Sequence, residues 1–283
     1  MLCRIGDIEV WRILEINAPF RTPDVLFPDA GPDVARVIED LVPGQLCATS
    51  GRLILPVQGF LLKTPDHVIL VDACVGNGKN VPTTPEWNQR DSNRFMAALT
   101  AAGASPEDVD YVLCTHLHTD HIGWNTRLEN GRWVPTFPNA KYLLPAEDVE
   151  TFGALNSPTY QESVTPVIEA GQAETVSGDH KLGDHVTLIP TPGHTPGHVS
   201  IQIDSQGARA LITGDALHST AQCWHPEWIF KFDSDPEQAK VSRRALLETA
   251  ADSGSRVLGS HFKLPSIGRI TARGDAFEWQ DDS

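Results

Sequence analysis

The stretch THLHTDHIGW, residues 115–124, places three histidines and an aspartate within six positions, directly after the apolar run of residues 111–114. His116 and His118 stand two apart, so on an extended segment their side chains point the same way. Imidazoles and a carboxylate crowded together are costly unless a cation binds them, and this donor set suits zinc or a similar first-row divalent ion. The stretch therefore predicts half of a metal site.

Further ligand candidates should follow other strands, because loops are held rigidly where strands end. Apolar strand patterns do end shortly before His194, Asp215 and His261. Each of these three strands therefore supplies one candidate ligand.

Four elements of the sequence together resemble the metallo-β-lactamase superfamily: HLHTDH, GHTPGH at residues 193–198, Gly214–Asp215 and the late His261. The resemblance spans most of the chain and implies an α/β fold, a four-layer αββα sandwich with metals at one edge of its two sheets. It implies seven ligands for two divalent ions: His116, His118 and His194 on one, Asp120, His121 and His261 on the other, and Asp215 bridging them. Zinc is the expected metal, with manganese, iron and cobalt as alternatives.

Two residues near these ligands are expected to support them. His198 should fix its loop by a hydrogen bond, because seven better ligands already fill two sites. Asp72, at the end of a strand pattern, is expected to act in the same indirect way. The other histidines receive no role: His67, His180, His185 and His225.

Differences between this sequence and related enzyme groups indicate which branch of the superfamily it resembles. Asp215 stands where true β-lactamases of this fold usually carry cysteine or serine, and only 22 residues follow His261, where glyoxalase II enzymes append a helical domain. The chain resembles the lactonase and methyl parathion hydrolase-like branch most. His218 stands where acyl-homoserine lactonases commonly have tyrosine, and there the methyl parathion hydrolase pattern fits better.

The resemblance implies a dinuclear metal-dependent hydrolase that cleaves a lactone or carboxylic ester through a hydroxide shared by both ions. Asp120 would orient the water or pass on its proton, and His218 would protonate the leaving alkoxide. Trp124 and Trp224 are candidates for apolar walls of the substrate pocket. Alternatives are an organophosphate triester hydrolase, a promiscuous β-lactam hydrolase, and a non-hydrolytic iron or redox protein.

Composition limits the partners. The chain has 22 Lys and Arg against 37 Asp and Glu, a net charge of −15, and no basic cluster, which disfavours nucleic acid and favours a small neutral or apolar substrate. No apolar run is long enough for a membrane span and no export signal is visible, so a cytoplasmic location is expected. Five scattered cysteines predict reduced thiols. A homodimer is left open.

The length predicts one metallo-β-lactamase-fold domain over residues 1–283, with an irregular excursion at 19–50 that could cap the active site. Strands are predicted at residues 8–16, 53–62, 68–73, 109–114, 140–144, 186–189, 199–203, 209–213 and 256–259. Helices are predicted at 34–41, at 92–102 and from Asp235 onward, where an N-cap and a proline open the helix. That last helix is expected to bury Val241, Leu246 and Leu247.

Overall fold

The structure, a computed structural model, describes residues 1–282. Its strands are, in chain order, β1 (Cys3–Ile5), β2 (Ile8–Pro19), β3 (Ile54–Lys63), β4 (Val68–Val71), β5 (Tyr111–Leu113), β6 (Thr126–Glu129), β7 (Arg132–Pro135), β8 (Lys141–Pro145), β9 (Ala173–Val176), β10 (Lys181–Leu182), β11 (Val186–Pro190), β12 (Val199–Ser205), β13 (Ala208–Ile212), β14 (Arg256–Leu258), β15 (Ile267–Arg273) and β16 (Ala276–Asp281). Its α-helices are α1 (Pro23–Leu26), α2 (Val34–Leu41), α3 (Arg94–Ala101), α4 (Thr119–Ile122), α5 (Ala146–Leu155), α6 (Pro158–Ser163), α7 (Thr165–Glu169), α8 (Ala221–Trp224) and α9 (Pro236–Ser253).

Every predicted strand and helix is present, with ends that differ by a few residues. The hairpin of β15 and β16 and the helices α5 to α7 were not predicted. The chain divides into two compact units: unit 1 comprises residues 1–15 and 57–177, and unit 2 comprises residues 16–56 and the chain from 178 onward. The strands β2 and β3 each run from one unit into the other.

Unit 1 is built on a sheet of strand order β1-β2-β3-β4-β5-β8-β9. Its strands β4, β5, β8 and β9 run parallel to one another, so their carboxyl ends share one edge of the sheet. Polar loops that carry function collect at such an edge. Asp72 follows β4, the histidine-rich stretch follows β5, and Asp148 follows β8.

Unit 2 is built on a second sheet of order β10-β11-β12-β13-β14-β15-β16. The strand β12 is antiparallel to both β11 and β13, and β14 is parallel to β13, so β11, β13 and β14 all end at the same edge. The residues that follow these three strands include His194, Asp215 and His261. Strand direction therefore accounts for how three distant segments deliver ligands to one edge.

The helix α9 covers one face of this second sheet. Asp235 caps its first turn by accepting a hydrogen bond from the backbone N–H of Gln238, and Leu246, Leu247 and Ala250 join the core of unit 2. Val241 was predicted to lie on this buried face, but it is 63% exposed. Five helical positions separate it from Leu246, about 140° around the axis, so the two cannot share one face.

Within residues 1–282 no helix is long and apolar enough to cross a membrane.

The segment of residues 19–50 is more ordered than predicted. It carries α1 and α2, and it packs against the loop that follows α8 within unit 2. Phe27 contacts the rings of Trp228 and Phe230, with centroids 5.6 and 5.7 Å away. The backbone N–H of Lys231 donates to the carbonyl of Leu26 at 2.8 Å. The segment of residues 19–50, expected to cap the active site, therefore packs on the loop that follows α8.

Candidate metal centre

In unit 1 the histidine-rich stretch leaves β5 and forms the short helix α4. His116 and His121 are buried, whereas His118 and Asp120 are partly exposed. The ring nitrogens His116 Nε2 and His118 Nδ1 lie 3.0 Å apart, and His121 Nε2 lies 3.8 Å from Asp120 Oδ2. The sequence-predicted ligands of this stretch therefore form two pairs of close donor atoms.

Asp72 supports this stretch through hydrogen bonds, as the sequence suggested. Its carboxylate accepts hydrogen bonds from the backbone N–H of Thr115 at 2.8 Å and from the Thr115 hydroxyl. It also accepts from His121 Nδ1 at 2.9 Å. Because the Thr115 hydroxyl donates to Asp72, its oxygen is left to accept from His116 Nδ1, 3.1 Å away. One buried carboxylate therefore orients two imidazoles.

Close packing of glycine fixes the end of the stretch. A Cβ placed on Gly123 would lie 1.8 Å from the carbonyl oxygen of Val75, so no larger residue fits there. The N–H groups of Gly123 and Trp124 donate to the carbonyls of Cys74 and Ala73. The metal-loop candidate is thereby tied to the end of β4.

Trp124 is buried in unit 1 and stacks on Phe95, with ring centroids 5.2 Å apart. Its indole N–H donates to Glu15 Oε1 at 2.9 Å. Burial raises the pKa of Glu15, although hydrogen bonds from Trp124 and the backbone oppose that effect. Trp124 also lines a cavity of about 440 Å³ together with Asn77, Arg90 and other residues of unit 1. Trp224 lies in unit 2, half-buried in α8, with the guanidinium of Arg273 5.0 Å from its ring.

In unit 2 Asp215 is the centre of a buried cluster. Its Oδ2 lies 3.3 Å from His194 Nε2 and 3.0 Å from His218 Nε2, and its Oδ1 lies 3.2 Å from His261 Nε2. The two carboxylate oxygens therefore face different histidine ligand candidates. Asp215, His218 and His261 also form a group whose candidate ligand atoms all lie within 4.8 Å of one another.

The histidines of this cluster are oriented by buried acceptors. His194 Nδ1 donates to Asp233 Oδ1 at 2.9 Å, and His261 Nδ1 donates to the carbonyl of Pro56 at 2.6 Å. His198 fixes its loop as expected, because its Nδ1 lies 3.1 Å from the Thr191 carbonyl and its Nε2 accepts from the Asp215 N–H. Its ring therefore supports the backbone of Asp215.

These hydrogen bonds decide which ring nitrogens can bind a metal. With Nδ1 donating, Nε2 of His116, His121 and His261 is left with a lone pair directed at other ligand candidates, and Nε2 of His194 is left with one when the ring gives up its second proton. Around a tetrahedral zinc ion with bonds of about 2.0–2.1 Å, ligand atoms stand roughly 3.3 Å apart. The distances from Asp215 to His194 and His261 agree with that spacing. The donor set therefore fits divalent metal ions.

The protonation of two histidines differs strongly. Burial lowers the pKa of His194, but hydrogen bonds and charges of Asp215 and Asp233 outweigh burial and raise it to about 9. Burial dominates at His218 and lowers its pKa to about 3 despite Asp215. His218 is 1% exposed, and its ring stacks on Phe230 at 3.3 Å, with Nε2 donating to Asp215 and Nδ1 bonded to no described residue.

Sequence reasoning missed three residues that support the site. Asp148 accepts a hydrogen bond from the backbone N–H of Leu117, between two ligand candidates. Asp233 orients His194, and the buried Arg243 contacts Asp233. The sequence assigned none of them a role, and its signs for them were weak, such as an aspartate soon after a strand and a charged residue on the apolar face of α9.

The chain belongs to the metallo-beta-lactamase superfamily, whose family model matches residues 54–261. This confirms the expected fold class, the α/β metallo-β-lactamase fold, and, together with the lactonase relatives, the expected enzyme class, a metal-dependent hydrolase. An N-acyl homoserine lactonase of Bacillus thuringiensis is 30% identical over 228 residues, which cover 76% of this chain and 82% of the relative. The lactonase AttM of Azorhizobium caulinodans is 26% identical over 239 residues, which cover 73% and 82%.

Solved structures agree on the fold. AidC, a dizinc quorum-quenching lactonase, superposes with a TM-score of 0.82 at 21% identity and covers 99% of this chain and 96% of its own. The hydrolase AbOPH of the beta lactamase superfamily gives 0.82 at 22% identity with the same coverage.

Proposed function

We propose that this chain is a dinuclear metal-dependent lactonase whose substrates are N-acyl homoserine lactones or similar neutral lactones. The observation that carries the proposal is the 30% identity to an N-acyl homoserine lactonase over three quarters of the chain, together with the oriented ligand candidates. A chain of net charge −15 also suits a neutral substrate better than an anionic one.

Seven residues would hold the metals, as the family resemblance implies. His116, His118 and His194 would bind one ion, Asp120, His121 and His261 the second, and Asp215 would bridge. The separate oxygens of Asp215 beside His194 and His261 support this division. Bound divalent ions lower the pKa of water and polarise a carbonyl oxygen, which is the chemistry lactone hydrolysis needs.

The residues of the chain would manage the protons. Lactone hydrolysis adds water to the carbonyl carbon, breaks the ring C–O bond and leaves a hydroxy acid. Asp120, partly exposed at the end of the histidine-rich stretch, would orient the water and accept its proton at a carboxylate oxygen. Asp120 would then pass that proton to the leaving alkoxide oxygen, and His218 would donate a hydrogen bond to the same oxygen from its Nε2–H, which faces Asp215 in the metal-free protein.

The substrate pocket would be shaped by residues 19–50 and 219–232, which pack on each other in unit 2. Their contacts include Ser219, the residue after His218, whose hydroxyl donates to Gln45 Oε1 at 2.7 Å. The segment 19–50 would thereby cap the site beside His218. Trp124 and Trp224 remain the proposed apolar walls.

A substrate panel tests the proposal. The zinc-loaded protein would be given N-acyl homoserine lactones of several chain lengths, unactivated esters, an aryl ester and paraoxon, with proton release as the readout. We expect the highest kcat/KM on a lactone. Turnover of paraoxon alone, or of no lactone at full metal loading, would reject the lactonase proposal and favour a different hydrolase of the family.

A further inference from the structure

Arg243 places a guanidinium inside unit 2, on the face of α9 that covers the sheet. Its side chain is fully buried, with 0% exposed. Burying a charge costs free energy, and a well-packed apolar side chain of similar volume is often as stable or more stable there. Arginine at this position therefore calls for an explanation beyond packing.

The guanidinium hydrogen-bonds to several separate segments of the chain. Nε donates to the carbonyl of Ala216 at 2.8 Å, and Nη1 donates to the carbonyls of Pro226 at 2.9 Å and Trp228 at 2.6 Å. Nη2 lies 3.4 Å from Asp233 Oδ2. Only a planar group with donors on three nitrogens can reach these acceptors together.

One of these contacts leads to His194. Asp233 uses Oδ1 to accept from His194 Nδ1 at 2.9 Å and Oδ2 to accept from the Phe230 N–H at 2.9 Å. Arg243 approaches the same Oδ2. The direction of His194 Nε2 therefore depends on a carboxylate held by Arg243.

A second contact leads to Asp215. Ala216 is the next residue, so the bond from Arg243 Nε fixes the peptide group one residue after the candidate bridging carboxylate. On the other side the Asp215 N–H donates to His198 Nε2 at 2.9 Å. The backbone around Asp215 is thereby held from both directions.

We propose that Arg243 is a positioning residue of the metal centre: one buried guanidinium, acting through Asp233 and the Ala216 carbonyl, sets the directions of His194 and Asp215 together. This inference rests on the metal site of the proposed function, but not on its substrate. Arg243 touches neither metal nor substrate, so its effect should appear first in metal affinity.

The experiment measures zinc affinity of the metal-free protein by competition with a chromophoric chelator, beside its melting temperature. Arg243→Lys keeps the charge but cannot reach all the acceptors, and Asp233→Asn keeps the shape but loses the carboxylate. We expect each to weaken zinc binding about 10- to 100-fold, the usual effect of losing a residue that orients a ligand. Arg244→Lys is the matched control, since Arg244 is the next residue of α9 and donates to the Asp275 carbonyl on the surface.

The double variant Arg243→Met with Asp233→Asn removes both buried charges together. Its zinc affinity can therefore be measured even where Arg243→Met alone does not fold. We expect its affinity to be close to that of the weaker-binding single variant, because the effect of Asp233 on His194 already depends on Arg243 and the two losses therefore do not multiply. Unchanged zinc affinity with a lowered melting temperature, or losses that simply multiply, would overturn the positioning role. Because no substrate is present, failure here is separate from failure of the lactonase proposal.

Discussion

The two units carry their candidate ligands in different ways. In unit 1, four of them lie within six consecutive residues after β5, whereas in unit 2 three separate strand ends supply one each. The supporting acceptors are distant in both units: Asp72 stands 49 positions from His121, and the Pro56 carbonyl stands 205 positions from His261. Ligands can thus be local while the groups that orient them are not.

Loss of Asp215 should have the largest effect, because it joins the dispersed ligands of unit 2. Asp215→Asn keeps the shape but removes the charge facing His194 and His261. We expect turnover to fall by more than the roughly 10²–10⁴-fold contribution of a single proton-transfer group, with loss of metal from at least one site. Metal analysis and kcat measure this; a variant with both metals and a normal rate would exclude bridging.

His218→Phe tests a residue that belongs to the same cluster but is not an assigned ligand. If its Nε2 supplies a proton or hydrogen bond to the leaving oxygen, turnover of substrates with poor leaving groups should fall about 10²–10⁴-fold, with both metals retained. Activated aryl esters need little protonation and should lose far less. Equal losses on both substrate types, or loss of metal, would instead assign His218 to supporting Asp215.

Asp72→Asn tests how far the ligand candidates of unit 1 depend on a supporting carboxylate. It removes the carboxylate that orients His121 and, through Thr115, His116. We expect zinc affinity to fall about 10- to 100-fold, as is usual for partners of ligating histidines. Asp66→Asn, an exposed aspartate of the same unit, is the control. Equal affinity in both variants would mean that the contiguous ligands need no such support.

The pH dependence of metal binding should reflect unit 2. The pKa of His194 is raised to about 9 by Asp215 and Asp233, so below that pH a metal ion must displace its proton. Apparent zinc affinity should therefore rise about tenfold per pH unit from this group and level off above pH 9.

The same proton stabilises the metal-free fold fully below the unfolded pKa of about 6.5, and this stabilisation is lost as the pH rises through 9. Calorimetric zinc titrations in buffers of different ionisation enthalpy count the protons released on binding. The same count in Asp233→Asn as in the unaltered protein would show that Asp233 does not raise the pKa of His194.

Ligand candidates could be predicted from the sequence where polar residues cluster in a short stretch, and strands could be predicted where they are strongly apolar. HLHTDH and the strand ends before His194, Asp215 and His261 supplied the seven proposed ligands, and α9 was found from its capping residues. The helix α5 was missed because its one buried side chain is Asp148 rather than an apolar stripe. The β15 and β16 hairpin was missed because charged residues occupy its exposed face. Asp233 and Arg243 could not be predicted, since only the fold brings them to His194.

Metal stoichiometry is the sharpest test of whether the seven proposed ligands hold two metal ions. Purified protein reconstituted with zinc and freed of excess should be analysed by mass spectrometry of its metals, together with its activity before and after chelation. We expect about two divalent ions per chain, loss of activity on chelation, and recovery when both ions are restored. One tightly bound ion with full activity would contradict it.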